Sequence, residues 1–419
     1  MADLSVVEIC AGAGGQSLGL ELAGFRHVLA VELDENAAAT LRENRPDWDV
    51  RLGDVADESV WAPKELPPVD LLAGGVPCPP FSIAGKQLGA TDERDLFAWA
   101  VELTGKMKPR ALLLENVRGL SMPRFSAYRQ HVKDRLKELG YWSDWKLLEA
   151  RDYGVPQLRP RFVLVAMRDE DAQWFEWPEK TPYPGTVGTA LYEMMASKNW
   201  PGAEKWAAAA NDIAPTIVGG SKKHGGADLG PTRAKKAWRA LGVDAMGVAA
   251  DPPGQSDPID YVPKLTTEMV ARLQGWGDSP EYAWTFTGRK TSRYRQIGNA
   301  FPPPVARALG TAIANALNQK GQRKDLSEVE KEVRHDPLYV ALKQSSVPLT
   351  EKELIKLAGE KMDSPTFERR MAMLARDFVI REDDQLVGRA YQLVGFKGFI
   401  GQEGHERHVR FAELRSRIS

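Results

Sequence analysis

The stretch VDLLAGGVPCPPFSIAGKQLGATDERDLF, residues 69–97, decides how the rest of the chain is read. It opens as a short apolar strand, Val69 to Ala73, and breaks at Gly74-Gly75. Open α/β sheets place their chemistry in the crevice outside the carboxyl ends of such strands. Pro77, Pro79 and Pro80 surround Cys78, fix φ and remove backbone donors, so the thiol sits on a stiff, non-helical segment. A free cysteine is more often a small buried apolar residue than a reactive one. A Pro-Cys-Pro setting in a glycine-flanked loop displays a thiol instead, and points to a nucleophile.

Upstream, Leu4–Cys10 forms an apolar strand leading into AGAGG, residues 11–15, and then a periodic segment with Leu18, Leu20 and Leu22. A strand, a glycine-rich turn and a helix N-terminus make a cofactor site, because the backbone can approach closely and free N–H groups face the ligand. The spacing is not the G-x-G-x-x-G of dinucleotide sites. A second strand, His27–Val31, ends in Glu32, where a carboxylate either accepts ribose hydroxyls or is an ordinary surface acid. A third, Val50–Leu52, leads to Asp54, placed to meet an adenine amino group. Glycine loop, acid and acid at successive strand tips read as a nucleoside-cofactor pocket. Downstream, Arg110–Leu114 is a fifth strand ending in Glu115-Asn116, at the same sheet edge as Cys78. RDYGVPQLRPR, residues 151–161, lies between strands at Trp145–Ala150 and Phe162–Met167. Alternation along that extended stretch lets Arg159 and Arg161 face one side.

With 419 residues the chain is long enough for two or three domains. Two cysteines, Cys10 and Cys78, exclude a disulfide framework and fit a reducing compartment. The N-terminus lacks a signal-peptide pattern, and no apolar run approaches the ~20 residues of a membrane span. The net charge of −1 does not announce a polyanion partner, so any nucleic-acid surface must be local. From about residue 173 Trp, Pro and Gly become dense and periodicity fades up to about 262, which marks a smaller second domain. Within it, Asn211–Leu241 carries Lys222, Lys223, Arg233, Lys235, Lys236 and Arg239 against Asp212 and Asp228. That patch suits a phosphate backbone or a solvated basic helix. Arg289, Lys290, Arg293 and Arg295 form another basic cluster ahead of QIGNAFPPPVA, residues 296–306, and an apolar helix, Val305–Leu317. After a charged linker, residues 336–419 form a separate unit. It has helices at Leu349–Ala358 and Ser364–Ala375, with Thr350 and Ser364 as N-caps. A hairpin of Phe378–Ile380 and Gln385–Gly388 is expected around Glu382-Asp383-Asp384. Helix, helix, hairpin fits a small winged-helix module, and equally a dimerisation or packing appendage.

In this order the motifs resemble those of the S-adenosylmethionine-dependent cytosine-5 DNA methyltransferases, over roughly residues 4–180 and 262–318. They are EICAGAGG (8–15), the tips Glu32 and Asp54, GGVPCPPFS (74–82), ENV (115–117), QLRPR (157–161), LQGW (273–276) and QIGNAFPPPVA. The resemblance implies an α/β fold: a Rossmann-like methyltransferase domain over 1–184 and 263–319, a target-recognition domain over 185–262, and a C-terminal extension over 320–419. It implies that Cys78 adds to C6 of a flipped-out cytosine. Glu115 contacts N3 and the exocyclic amine, Arg161 holds O2, and Arg159 and Asn116 support them. The cofactor, S-adenosyl-L-methionine, is expected against Cys10, Ala11, Gly12, Gly14, Gly15, Glu32, Leu33, Asp54, Val55, Pro77, Leu96 and Asn299. Ser82 and Lys86 of a closing loop, with Thr216, Lys222, Lys223 and Arg233, are expected to bind DNA; no metal is expected.

The chain departs from the family at Cys10, where Phe is common, at Pro79, where Gln or Asn usually follows the nucleophile, and at Leu33, where an aromatic is frequent. Thr216-Ile217 resembles the Thr-Leu element of the recognition domain. The expected partner is double-stranded DNA, bound by a monomer in the prokaryotic cytoplasm at the nucleoid, with no membrane. A cognate restriction endonuclease would share the system. One branch of the family acts on tRNA, which keeps a tRNA cytosine methyltransferase as the alternative, beside a DNA-binding regulator without catalysis.

Overall fold

The computed structural model describes residues 3–76, 93–183, 185–219, 227–277, 279–326, 336–385 and 388–397. Its centre is a seven-stranded sheet. In chain order the strands are β1 (Leu4–Ile9), β2 (Phe25–Glu32), β3 (Val50–Leu52), β4 (Leu71–Gly74), β5 (Ala111–Val117), β6 (Tyr141–Glu149) and β7 (Pro160–Arg168). They lie side by side in the order β3-β2-β1-β4-β5-β7-β6. The first five are parallel, and β7 runs antiparallel between β5 and β6.

These strands are near-continuous apolar runs because helices cover both faces of the sheet. Successive residues take opposite sides: Leu112 and Leu114 enter one core, Ala111 and Leu113 the other. The first face is covered by α3 (Glu93–Met107) and α4 (Ser126–Glu138), through Leu96, Trp99, Leu103, Tyr128 and Val132. The second is covered by α1 (Gly15–Leu22), the short α5 (Asp169–Ala172) and α11 (Pro303–Leu317), the last through Val305, Leu309 and Ile313. Helix α2 (Glu35–Asn44) follows β2 and is capped by Asp34, whose carboxylate accepts from the N–H groups of Asn36 and Ala37.

Residues 185–277 hold α6 (Val187–Ala196), α7 (Ala203–Ala209), α8 (Thr232–Ala240) and α9 (Thr267–Leu273). Val187, Leu191, Trp200, Trp206, Trp238, Leu273 and Trp276 share one core, joined by Tyr294 and Ile297 of α10 (Lys290–Asn299). Helices of seven to ten residues wrapped around indole rings leave little periodic signal in sequence.

The C-terminal unit runs α12 (Pro337–Gln344), β8 (Leu349–Thr350), α13 (Glu351–Ala358), α14 (Ser364–Asp377), β9 (Phe378–Gln385) and β10 (Gly388–Phe396). Its sheet has the order β8-β10-β9. Two expectations are corrected. Asp363, not Ser364, caps α14, accepting from Thr366 N at 2.9 Å, while Ser364 donates to Glu351 at 2.6 Å. Glu382 and Asp383 lie inside β9, paired with Tyr391 and Ala390, so the hairpin does not turn there. Thr350 caps α13 as expected, its N–H and hydroxyl both reaching Glu353, at 2.8 and 2.7 Å.

Candidate active site

The carboxyl ends of β1, β2 and β4 open onto a cavity of about 310 Å³, within the range of small-molecule sites. Cys10, Ala11, Gly12, Gly15, Glu32, Leu33, Asp54, Val55, Leu96 and Asn299 line it, together with Glu115. The turn after β1 is tight: Cys10 and Gly12 have φ of 51° and 59°. The Gly12 N–H donates to one oxygen of Glu32 and the Asp34 N–H to the other, both at 2.7 Å. Two donors on one carboxylate fix its plane and leave further lone pairs facing the cavity. Burial raises the Glu32 carboxyl, opposed by these backbone donors.

Gly14 does not line the cavity. A Cβ there would lie 2.4 Å from the Trp284 ring, and one on Gly15 would lie 2.2 Å from the Phe301 carbonyl. Gly14 is thus required by an indole packed behind the loop, whose Nε1 donates to Ala13 O at 2.8 Å. The sequence reading also missed a whole wall: Ser292, Arg295 and Gln296 line the cavity with Asn299. Their spacing back from Asn299 is that of one helical face, a signal available in the sequence.

The second half of the site lies where β5 meets β7. Val117 pairs with Arg161, which places Glu115 diagonally beside that arginine on the same face. Arg161 Nε lies 2.5 Å from Glu115 Oε1. The contact is a close, buried ion pair. Burial raises the Glu115 carboxyl above the ordinary range, against the pull of Arg161 and Arg159. The same burial lowers both guanidinium groups. A Cβ on Gly75 would sit 3.5 Å from Glu115 Oε2, so the end of β4 runs directly past this carboxyl.

Asn116 and Arg159 hold backbone rather than face the cavity. Asn116 donates to Val76 O at 3.1 Å and so fixes the chain two residues before Cys78. Arg159, 1% exposed, donates to Ile217 O at 2.7 Å, Gly298 O at 2.7 Å and Ala300 O at 2.9 Å. Gln157 beside it reaches Leu273 O and Gln274, and accepts from Ile217 N. The Thr216 hydroxyl, expected at DNA, donates to Leu158 O at 2.5 Å. Arg233 is exposed on α8. Pro77, Cys78, Ser82, Lys86, Lys222 and Lys223 lie outside the described residues.

The model of the C-5 cytosine-specific DNA methylase family matches residues 4–315. The type II methyltransferase M.NaeI of Lentzea aerocolonigenes is 62% identical over 419 residues, covering the whole of both chains. M.NgoMIV of Neisseria gonorrhoeae is 48% identical over 318 residues, 75% of this chain and 98% of that one. Among solved structures, a mutant of Spodoptera frugiperda DNMT2 superposes with a TM-score of 0.52 at 18% identity, covering 74% of this chain and 99% of that one. The Entamoeba histolytica methyltransferase EhMeth gives 0.52 at 13% identity, over 76% and 99%. At those identities the likeness is one of fold alone. The family match and the two curated relatives carry the assignment: the chain belongs to the C-5 cytosine-specific DNA methylase family.

Proposed function

We propose that this protein transfers a methyl group from S-adenosylmethionine to C5 of a cytosine in a specific short sequence of double-stranded DNA. We further propose that it protects host DNA as the methyltransferase of a type II restriction–modification system. The observation that carries the reading is the meeting of two sites at one sheet edge. A nucleoside-sized cavity with an oriented Glu32 carboxylate adjoins a buried Glu115–Arg161 pair, beside the segment that leads to Cys78. The family's C-5 cytosine-specific DNA methylase character supports the DNA substrate, and the likeness to type II methyltransferases supports the restriction–modification setting.

The residues present fit the cofactor. Glu32 offers lone pairs to ribose hydroxyls, Asp54 stands at the next strand tip, and the N-terminus of α1 faces the cavity. When bound, S-adenosylmethionine supplies the electrophilic methyl group that C5 of an activated base takes up. Activation is the work of the chain. The target carbon is inaccessible in a duplex, so the base must leave the stack. The Cys78 thiolate forms a bond to C6, and the C5–C6 π electrons become available at C5. Glu115, whose carboxyl burial shifts towards the neutral acid, donates to N3 and neutralises the charge that develops on the ring. Arg161 holds Glu115 and reaches the base O2. Loss of the C5 proton to a water-derived base then restores the double bond and expels the thiolate, and N3 returns its proton to Glu115. Asn116 and Arg159 are positioning residues, one for the Cys78 segment and one for the recognition segment 185–262. Lys222, Lys223 and Arg233 supply phosphate contacts from that segment.

The test is transfer of labelled methyl from S-adenosylmethionine to duplex DNA and to tRNA, side by side. Label in DNA alone is expected. Label in tRNA alone would replace the reading with the RNA one, and binding of DNA without transfer would replace it with a regulator.

A further inference from the structure

We propose that residues 336–397 form a second surface for duplex DNA, separate from the catalytic cleft. The outward face of α14 meets a groove, and the lysines of α13 meet the flanking phosphates. The unit lies outside the family match at 4–315. M.NgoMIV is covered to 98% by matching 75% of this chain, so a relative of that length is complete without an equivalent of the remainder. The unit therefore needs a use of its own.

Its architecture presents one helix outward. Helix α13 ends at Gly359, with φ of 70°, and α14 starts from the Asp363 cap after a five-residue turn. Two helices joined by a short turn, the first crossing behind the second, are a geometry that lets the second helix enter the major groove. Phe367, Met371 and Leu374 turn inward from α14. Pro365, Arg369, Ala372, Met373 and Arg376 form the opposite, exposed face, with Glu368 on its flank. Ala372 and Met373 lie between its two guanidinium groups. Seven residues of helix separate Arg369 from Arg376 by ~10 Å, which is about three base-pair steps.

The charges are segregated to match. Six carboxylates of the unit are engaged internally, Asp336 and Glu360 by Arg370, Glu353 and Asp363 in helix caps, Glu382 by Arg389 and Asp383 by Arg381, while Glu368 on the flank of α14 forms no ion pair among the described residues. Arg369 bonds only within its own first turn, to Pro365 O and Thr366 Oγ1. Lys352 and Lys356, one turn apart on the exposed side of α13, and Arg376 form no ion pair among the described residues. Four solvent-facing cations, Lys352, Lys356, Arg369 and Arg376, against the single flanking Glu368 suit a polyanion. The unit docks on the catalytic domain by other elements. The His131 ring of α4 stacks on Phe396 at 4.2 Å, and Lys343 of α12 pairs with Asp134 and Glu138. That docking leaves α14 free to bind.

The experiment uses the full chain and a duplex of A·T pairs only, which offers the catalytic site no cytosine. Lysine acetylation is followed by mass spectrometry with and without saturating duplex, with exposed Lys320 as reference. Acetylation of Lys352 and Lys356 should slow severalfold in the complex. The Arg369→Ala/Arg376→Ala variant should restore it while methyl transfer stays at the wild-type rate. Unchanged labelling of Lys352 and Lys356, with methyl transfer intact, would overturn the second surface alone and would turn the face over to a protein partner. Absence of methyl transfer in the wild type would instead defeat the proposed function and leave this surface to be judged by protection.

Discussion

At the scale of single residues, the proposed chemistry turns on Glu115. Its carboxyl faces two opposed demands: burial favours the neutral acid, and Arg161 at 2.5 Å favours the anion. Burial outweighs the cations and raises the carboxyl, the direction that the proposed donation to N3 of the base requires. Glu115→Gln preserves the shape but removes the transferable proton. It should lower kcat by about 10²-fold or more, with cofactor affinity little changed in equilibrium dialysis. A near-normal kcat would show that a fixed hydrogen bond suffices. Both Glu115 and Arg161 were legible in the sequence, because each stands beside an apolar strand at the active edge. Their diagonal pairing was not, since it depends on β7 running antiparallel to β5, which no local pattern encodes. Arg159 was expected from the sequence to support the catalytic pair, whereas its guanidinium holds backbone. Only the fold brings three backbone carbonyls from two distant segments around one guanidinium.

At the scale of elements, α10 joins the sheet-edge cavity to the segment 185–262, the proposed cofactor and recognition sites. One face of the helix supplies Ser292, Arg295, Gln296 and Asn299 to the cavity. Another presents the Tyr294 hydroxyl, which lies 3.1 Å from Val218 O and 2.6 Å from Asp228 O. Gly298 crosses Gly219 so closely that a Cβ would lie 2.6 Å from its Cα. The single hydroxyl proton of Tyr294 is thus shared between the two ends that flank Lys222 and Lys223, with Asp228 O the nearer acceptor. Tyr294→Phe strands buried carbonyls at a cost of about 1 kcal/mol. We expect a severalfold rise in KM for DNA, with the cofactor dissociation constant unchanged. Equal weakening of both would mean that α10 acts only as scaffold. The basic cluster around α10 was visible in the sequence. Its division into a cavity face and a recognition face required the helix to be placed.

At the scale of the whole molecule, the catalytic sheet could be read strand by strand from apolar runs ending in Gly or acid. The C-terminal unit could be read only in outline, because its hairpin strands are charged and its docking face is made by distant residues. That docking carries a titratable group. His131 is enclosed by Phe378, Phe396 and Tyr339, with Lys343, Asp134, Glu138 and Glu102 as its charged neighbours. Burial, aided by Lys343, lowers its pKa from 6.5 to about 4. A histidine held neutral in the folded state stabilises it fully above the unfolded value, and that contribution is lost as pH falls from about 6.5 towards 4. The loss is of order 3 kcal/mol at most. Hydrogen exchange in 336–397 should therefore quicken over that window, and His131→Leu should flatten the dependence; an equal acid response in the variant would place the sensitive group elsewhere.

The central claim, covalent activation of a DNA cytosine by Cys78, is tested most directly by bisulfite sequencing of plasmid DNA from cells expressing the wild type or Cys78→Ser. Cytosines within one short sequence should resist conversion with the wild type and convert fully with the variant. Resistance persisting in soluble, cofactor-binding Cys78→Ser would remove Cys78 as the nucleophile, and full conversion with soluble, cofactor-binding wild type would contradict DNA methylation itself.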